Sequence, residues 1–339
     1  MKAVRLHAAG DLRVEDIPAP GTPAPGWVRL TVTAAGICGS DLHNFRTGQW
    51  ITRAPSVAGH ELTGIVAELG KGVEGLSVGQ SVVADSRFWC GTCPACLGQR
   101  HHLCEKLGFV GEACDGGFAE EVNLPARLLL PVDPAIDPAV AAMAEPLAVA
   151  LHTLRRLALQ PGEPVLVLGC GTIGGLCALL IARQHDGPLL VADRNAARAQ
   201  RVAEVTGATI VPLEAEAIRA ALKGGLPMAA IEATGSTAAL GHLIGCVEGG
   251  GRIGLVGIFH GRLDIDPNLL VEREVSLIGC HAFTDELPTA LTALTVHHTA
   301  LTGLVDQQVE LDAAPAAYAR LLAGEATGLK TILRPQGVS

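Results

Sequence analysis

Aromatic residues are scarce. Only 3 Trp, 1 Tyr and 6 Phe occur in 339 residues, although 49% of the chain is apolar. A core without large rings has to be aliphatic, with Val, Leu, Ile and Ala packed close to many of the 41 glycines. Charge is also sparse, at 17%, and the formal net charge is −9. Nucleic acid and anionic membrane need clustered Lys and Arg, so both are excluded as partners. The start of the chain lacks a signal-peptide pattern: Met1 to Leu6 alternates like a strand and no apolar stretch follows. One uncharged run, Pro164 to Ala182, has the length of a membrane span. It holds four glycines, and a second strand-like run ending in an acid follows it, so it reads as a nucleotide-binding unit instead. The expected location is the cytoplasm.

Cysteine is not scarce: there are ten. In a reducing compartment, close cysteine spacing points to metal rather than to disulfides. Residues 90–104 have the spacing Cys90-x2-Cys93-x2-Cys96-x7-Cys104. Four thiolates in one short loop close a tetrahedron around Zn²⁺ and leave no position for chemistry, so this site is expected to hold the loop together. His101 and His102 lie within it and read as surface residues.

A second cluster is mixed. Residues 36–43 read Gly-Ile-Cys-Gly-Ser-Asp-Leu-His, and Gly59-His60-Glu61 follows. Cys with His is a common catalytic zinc set, completed by carboxylate or water. Farther on, Glu145 is the only acid between Met143 and His152, which is unfavourable unless it is paired or bound to metal. The surrounding segment Ala139 to Leu159 has a helical pattern.

The run Val165 to Leu168 is apolar throughout, as in a parallel strand buried on both faces. Gly169-Cys-Gly171-Thr172-Ile173-Gly174 then spells Gly-x-Gly-x-x-Gly at the head of a helical run. Gly169 permits a tight turn, Gly171 admits a pyrophosphate to the backbone, and Gly174 lets helix and strand pack closely. The helix start offers free N–H groups and partial positive charge. Asp193 ends the next strand and can accept from both ribose hydroxyls; it would repel a 2′-phosphate, so NAD is favoured over NADP, although Arg194 directly after it could tolerate a phosphate. Strand and helix patterns alternate as far as Gly279, predicting a doubly wound parallel sheet of about six strands.

Taken together, these motifs resemble the zinc-dependent medium-chain alcohol dehydrogenase family over essentially the whole chain. Glu145-Pro146-Leu147, with Glu where the liver-type enzymes carry Cys, is similar to the sorbitol and threonine dehydrogenase branch. The resemblance implies an α/β chain: a GroES-like, β-rich catalytic domain over 1–147, a Rossmann NAD-binding domain over 148–283, and a tail, 284–339, packing back on the first domain. It implies two zinc ions, one catalytic on Cys38, His60, Glu61 and Glu145, and one structural on Cys90, Cys93, Cys96 and Cys104. By the same match Ser40 contacts the substrate alcohol and His43 relays its proton, while Arg198 joins Gly169, Gly171, Thr172, Ile173, Gly174, Asp193 and Arg194 at the cofactor. Trp50, Phe109 and Phe283 are placed in the substrate pocket, and Asp41 is given a structural or supporting role. Asn44 stands where the sorbitol branch has an aromatic, and Gly279 to Thr284 lacks its Arg-Tyr pair, so sorbitol itself is not implied. The implied activity is oxidation of a secondary alcohol (polyol, sugar alcohol or sugar acid) to the ketone with NAD. Threonine dehydrogenase-like amino-alcohol oxidation and a non-catalytic zinc protein are the alternatives. A small-molecule partner and a homodimer or homotetramer are implied as well.

Overall fold

Alternating apolar positions build the strands of the first unit. Trp27–Gly36 buries every second residue as far as Ala34 and pairs antiparallel with Glu61–Leu69, Glu121–Pro125 and Lys330–Leu333. Glu61–Leu69 continues the sheet through Ser81–Ala84 to Leu129–Pro131, and Val305–Val309 lies parallel to Lys330–Leu333 on the other side. Val28, Leu30, Val32, Leu62, Val66 and Leu124 form the core, with Phe118 and Tyr318 as its large rings.

The computed structural model describes residues 1–338 and divides the chain into two compact units. The first comprises Met1–Glu145, Leu287–Ala326 and the residues from Lys330 onward; the second comprises Pro146–Glu286 and Thr327–Leu329. The sequence reading puts boundaries after 147 and 283, and local bonds explain the difference. Glu286 stays with the second unit because its carboxylate lies 2.9 Å from His152 Nδ1 and 2.6 Å from Arg155 Nη2. Thr327–Leu329 joins that unit, where Thr172 Oγ1 donates to Leu329 O at 2.6 Å.

Six parallel strands form the second unit's sheet. In space they run Thr209–Ile210, Leu189–Ala192, Val165–Leu168, Ala229–Glu232, Arg252–Leu255, Ser276–Gly279, which in chain order is 3-2-1-4-5-6. That is the doubly wound order, with its crevice at the end of the first strand, where the chain reverses direction across the sheet. The expected long helix at 139–159 is two helices, Pro138–Ala141 and Ala144–Leu157. Pro146 has no N–H to give to residue 142, so it fits only the first turn of a helix and the second helix has to restart just ahead of it. Among the described residues, no helix is long and apolar enough to cross a membrane.

Candidate metal centres and cofactor loop

The four-cysteine loop folds on itself. Cys93 starts the short helix Pro94–Leu97, and Cys104 follows the turn His101–Leu103. The sulfurs of Cys90, Cys93, Cys96 and Cys104 all lie within 4.8 Å of one another. Cys90 Sγ is 3.5 Å from Cys104 Sγ and 3.9 Å from Cys96 Sγ, and all four thiols are free. A zinc–sulfur bond of about 2.3 Å gives a tetrahedron with edges of about 3.8 Å, so the spacing fits a closed zinc site. Backbone N–H groups of Thr92 and Cys93 pull the Cys90 thiol down to about 5, while burial pushes Cys96 up to about 12. His101 is part of the loop's packing rather than of its donor set: its ring stacks on Trp89 at 4.4 Å, and the Arg127 guanidinium lies 4.2 Å from the Trp89 ring centre.

The mixed set is assembled from distant elements. Cys38 is the N-cap of the helix Gly39–Thr47, and its N–H is accepted by Asp41 Oδ2 at 2.8 Å, which fixes the helix start. His60 and Glu61 stand at the head of the strand Glu61–Leu69. One donor atom each from Cys38, His60 and Glu61 lies within 4.8 Å of the others. Glu145 is outside that set; its Oε1 accepts from Ser86 Oγ at 2.7 Å. Asp41 Oδ1 is 3.9 Å from His60 Nδ1. Burial alone would discharge His60, yet the Cys38 sulfur, Asp41 and Glu145 hold its pKa well above the ordinary value. Burial raises the pKa of Glu145, and the Glu61 charge raises it further.

Lys330 is a residue the sequence reading missed. Its side chain and that of Glu61 are both 1% exposed. Nζ donates to Glu61 Oε1 at 2.7 Å and to Ile37 O at 3.0 Å. Nζ also lies 2.6 Å from Oε2, but not along a hydrogen bond, so Oε2 is buried without one. A buried carboxylate oxygen beside a thiol and an imidazole is the donor chemistry zinc takes. The only sequence signal for Lys330 was a single cation in the apolar strand Lys330–Leu333.

The other expected site residues divide. Ser40 and His43 lie three apart on the helix Gly39–Thr47, and so on one side of it. The His43 ring packs on Trp50 at 4.1 Å and its Nε2 is 3.1 Å from Gln49 Oε1. The Phe109 ring is 6.3 Å from that of His60. Phe283 is 0% exposed in the second unit.

At the cofactor loop Gly169 has φ +99°, open to glycine but strained for other residues. A Cβ on Gly174 would overlap Gly169 O, whereas one on Gly171 would meet nothing within 4 Å. The first position turns the chain, the third seats the helix Thr172–Gln184 against the strand, and the second leaves open space at the helix start. The first N–H groups of that helix have no partner within it. The Thr172 hydroxyl is committed to Leu329 O, so only the backbone of Thr172 and Ile173 is available there. Asp193 Oδ2 accepts from Cys170 N at 2.5 Å and Oδ1 from Asn195 N at 2.7 Å, tying the acid to the loop. Arg194 is exposed, and Arg198 is half-buried in the helix Ala196–Thr206. These features match a dinucleotide cradle.

Known proteins share this architecture. Residues 24–134 match the alcohol dehydrogenase GroES-like domain, and residues 175–295 match the zinc-binding dehydrogenase domain. L-galactonate-5-dehydrogenase of Escherichia coli is 36% identical over 275 residues, covering 80% of this chain and 79% of that protein. The crystal structure of 2R,3R-butanediol dehydrogenase from Bacillus subtilis superimposes with a TM-score of 0.89 at 31% identity, covering 99% of each chain. An Escherichia coli alcohol dehydrogenase crystallised with NADH does so at 0.89 and 26% identity, covering 98% of this chain and 99% of that one. With a GroES-like sheet, a doubly wound sheet and two donor clusters in place, the chain belongs to the zinc-dependent medium-chain alcohol dehydrogenase family and is an oxidoreductase that uses zinc and a nicotinamide cofactor.

Proposed function

We propose that the protein oxidises a secondary alcohol, of the polyol, sugar-alcohol or sugar-acid class, to the ketone with NAD. The convergence of Cys38, His60 and Glu61 donor atoms within 4.8 Å carries this reading. Cys38, His60 and Glu61 would hold the catalytic zinc, with Glu145 exchanging for Glu61 or acting through water. Cys90, Cys93, Cys96 and Cys104 would hold a second, structural zinc. When bound, zinc supplies Lewis acidity that brings a hydroxyl's pKa toward neutrality, and the nicotinamide supplies the hydride acceptor.

The protein's own groups do the rest. Ser40 takes the proton released by the substrate hydroxyl and His43, one turn on, passes it outward. Asp41 fixes the start of the helix that carries both. Lys330 neutralises Glu61 and keeps it in place. Gly169, Gly171, Gly174 and the helix start after them seat the pyrophosphate, with Thr172 and Ile173 contributing backbone N–H groups. Asp193 takes the ribose hydroxyls and disfavours a 2′-phosphate, which supports NAD over NADP, while Arg194 and Arg198 flank the adenosine. Trp50 and Phe109 wall the alcohol's side of the site. Ten unpaired cysteines fit a reducing cytosol, and a dimer or tetramer is the proposed assembly.

The test is NADH formation by zinc-loaded protein across polyols, aldonates, L-threonine and simple secondary alcohols, with NADP in parallel. Turnover of a polyol or aldonate with NAD and two zinc ions per chain is the expected result. Preferred turnover of threonine would move the reading to the amino-alcohol branch, and no turnover with one zinc would make it a non-catalytic member. Asp193→Ser is expected to weaken NAD by roughly 10-fold or more in KM, the size of a lost hydrogen bond to a charged group, and to narrow the preference over NADP.

A further inference from the structure

One carboxylate outside the donor set has an oxygen to spare. Glu112 lies just after the strand Gly108–Phe109 and is half-buried. Its Oε1 accepts from Asn44 Nδ2 at 3.3 Å, and Asn44 Oδ1 in turn accepts from Trp50 N at 2.9 Å. Its backbone carbonyl accepts from Thr52 Oγ1 at 3.1 Å. Among the described residues Oε2 takes no hydrogen bond and is not sealed from solvent. The nearby cation is already used: Arg53 Nη2 pairs with Asp115 Oδ1 at 2.7 Å. Glu112 and Asn44 line a narrow cavity that His60 and Asp41 also line, with Trp50 and Ile51 on its apolar wall. The cavity therefore touches the candidate catalytic metal ligands through His60 and holds a positioned acceptor elsewhere along its lining.

We infer that Glu112, oriented by Asn44, is a specificity residue that accepts hydrogen bonds from hydroxyls of a neutral polyol other than the one being oxidised. This rests on the alcohol dehydrogenase reading above. A carboxylate oxygen has two lone-pair sites, and adjacent hydroxyls can fill them. A substrate without further hydroxyls would leave Glu112 desolvated and unpaired, which weakens its binding. A substrate carboxylate would meet like charge, because Arg53 is spent on Asp115. Trp50 lines the same cavity, and an indole ring packs against the C–H side of a polyol. Burial raises the Glu112 pKa to about 6 while His60 and Asn44 oppose it, as for a partly desolvated group awaiting partners.

The experiment compares zinc-loaded wild type, Glu112→Gln and Glu112→Leu. It measures kcat and KM with NAD for sorbitol, gluconate and 2,3-butanediol, sorbitol binding by tryptophan fluorescence, zinc content and the thermal midpoint. In Glu112→Gln the sorbitol-to-butanediol ratio of kcat/KM is expected to fall roughly 10- to 100-fold, carried by KM, as for losing hydrogen bonds to a charged group. Sorbitol affinity should fall in parallel, and the gluconate-to-sorbitol ratio should rise. A ratio unchanged in both variants, or equal losses on sorbitol and butanediol, would overturn the assignment while wild-type turnover still upheld the dehydrogenase reading. A wild type that oxidises none of the three would overturn that reading and this one with it.

Discussion

The two metal-donor clusters of the first unit are built in opposite ways. The four-cysteine cluster comes from residues 90–104, and its geometry is set by one short loop. The Cys38 cluster comes from a helix start and a strand head, with Glu145 at the start of another helix. Four like donors need only one another to complete a sphere. A thiol, an imidazole and a carboxylate leave a position open, and their charges need partners from elsewhere: Lys330 for Glu61, Ser86 for Glu145, Asp41 beside His60. The lesson is that the closed cluster can support the fold by itself, whereas the open one depends on the fold to stay assembled.

Breaking that contrast has a ranked set of outcomes. Cys38→Ser should abolish turnover and lower zinc from two ions per chain to one, with the circular dichroism spectrum unchanged; normal turnover would remove Cys38 from the catalytic set. Cys104→Ser should also lose one ion, but its main effect should be on stability, about 4 kcal/mol or more in urea titration, since losing a structural metal is among the largest single-site effects. Activity retained at full stability would show the loop needs no metal. In the zinc-free protein Lys330→Met should cost about 3 to 5 kcal/mol by leaving the Glu61 charge buried and unpaired. Adding Glu61→Gln to it should recover part of that loss, and failure to recover would show that packing, not charge, is what Lys330 provides. Ser86→Ala should have the smallest effect, about 1 to 3 kcal/mol, by removing the donor to Glu145. Equilibrium dialysis against chelator should show that variant losing the catalytic ion faster than the structural one.

Legibility in the sequence followed distance along the chain. The cysteine spacing and the glycine fingerprint could be read because each is a local pattern with a local geometric cause; Gly169, Gly171 and Gly174 meet three different steric demands within six residues. The six parallel strands were visible as apolar runs, but their 3-2-1-4-5-6 order was not, since no run carries its neighbour's identity. Partners of the site were hidden for the same reason. Lys330 meets Glu61 across 269 residues, and Asn44 meets Glu112 across 68. Helical periodicity ran through residues 142–143 and missed the break that Pro146 imposes.

The strand Lys330–Leu333 has a consequence for how the protein is made. It pairs with Trp27–Gly36, so the first unit's sheet joins segments that lie on either side of the second unit in sequence. During synthesis that sheet stays incomplete, and Glu61 lacks its cation, until residue 333 has emerged from the ribosome. Apart from Thr327–Leu329, the second unit is one continuous stretch, Pro146–Glu286, and all its strands are available earlier. The second unit can therefore settle first, and a nascent chain that has emerged as far as residue 286 would carry a formed parallel sheet while the apolar strands of the first unit are still exposed to chaperones.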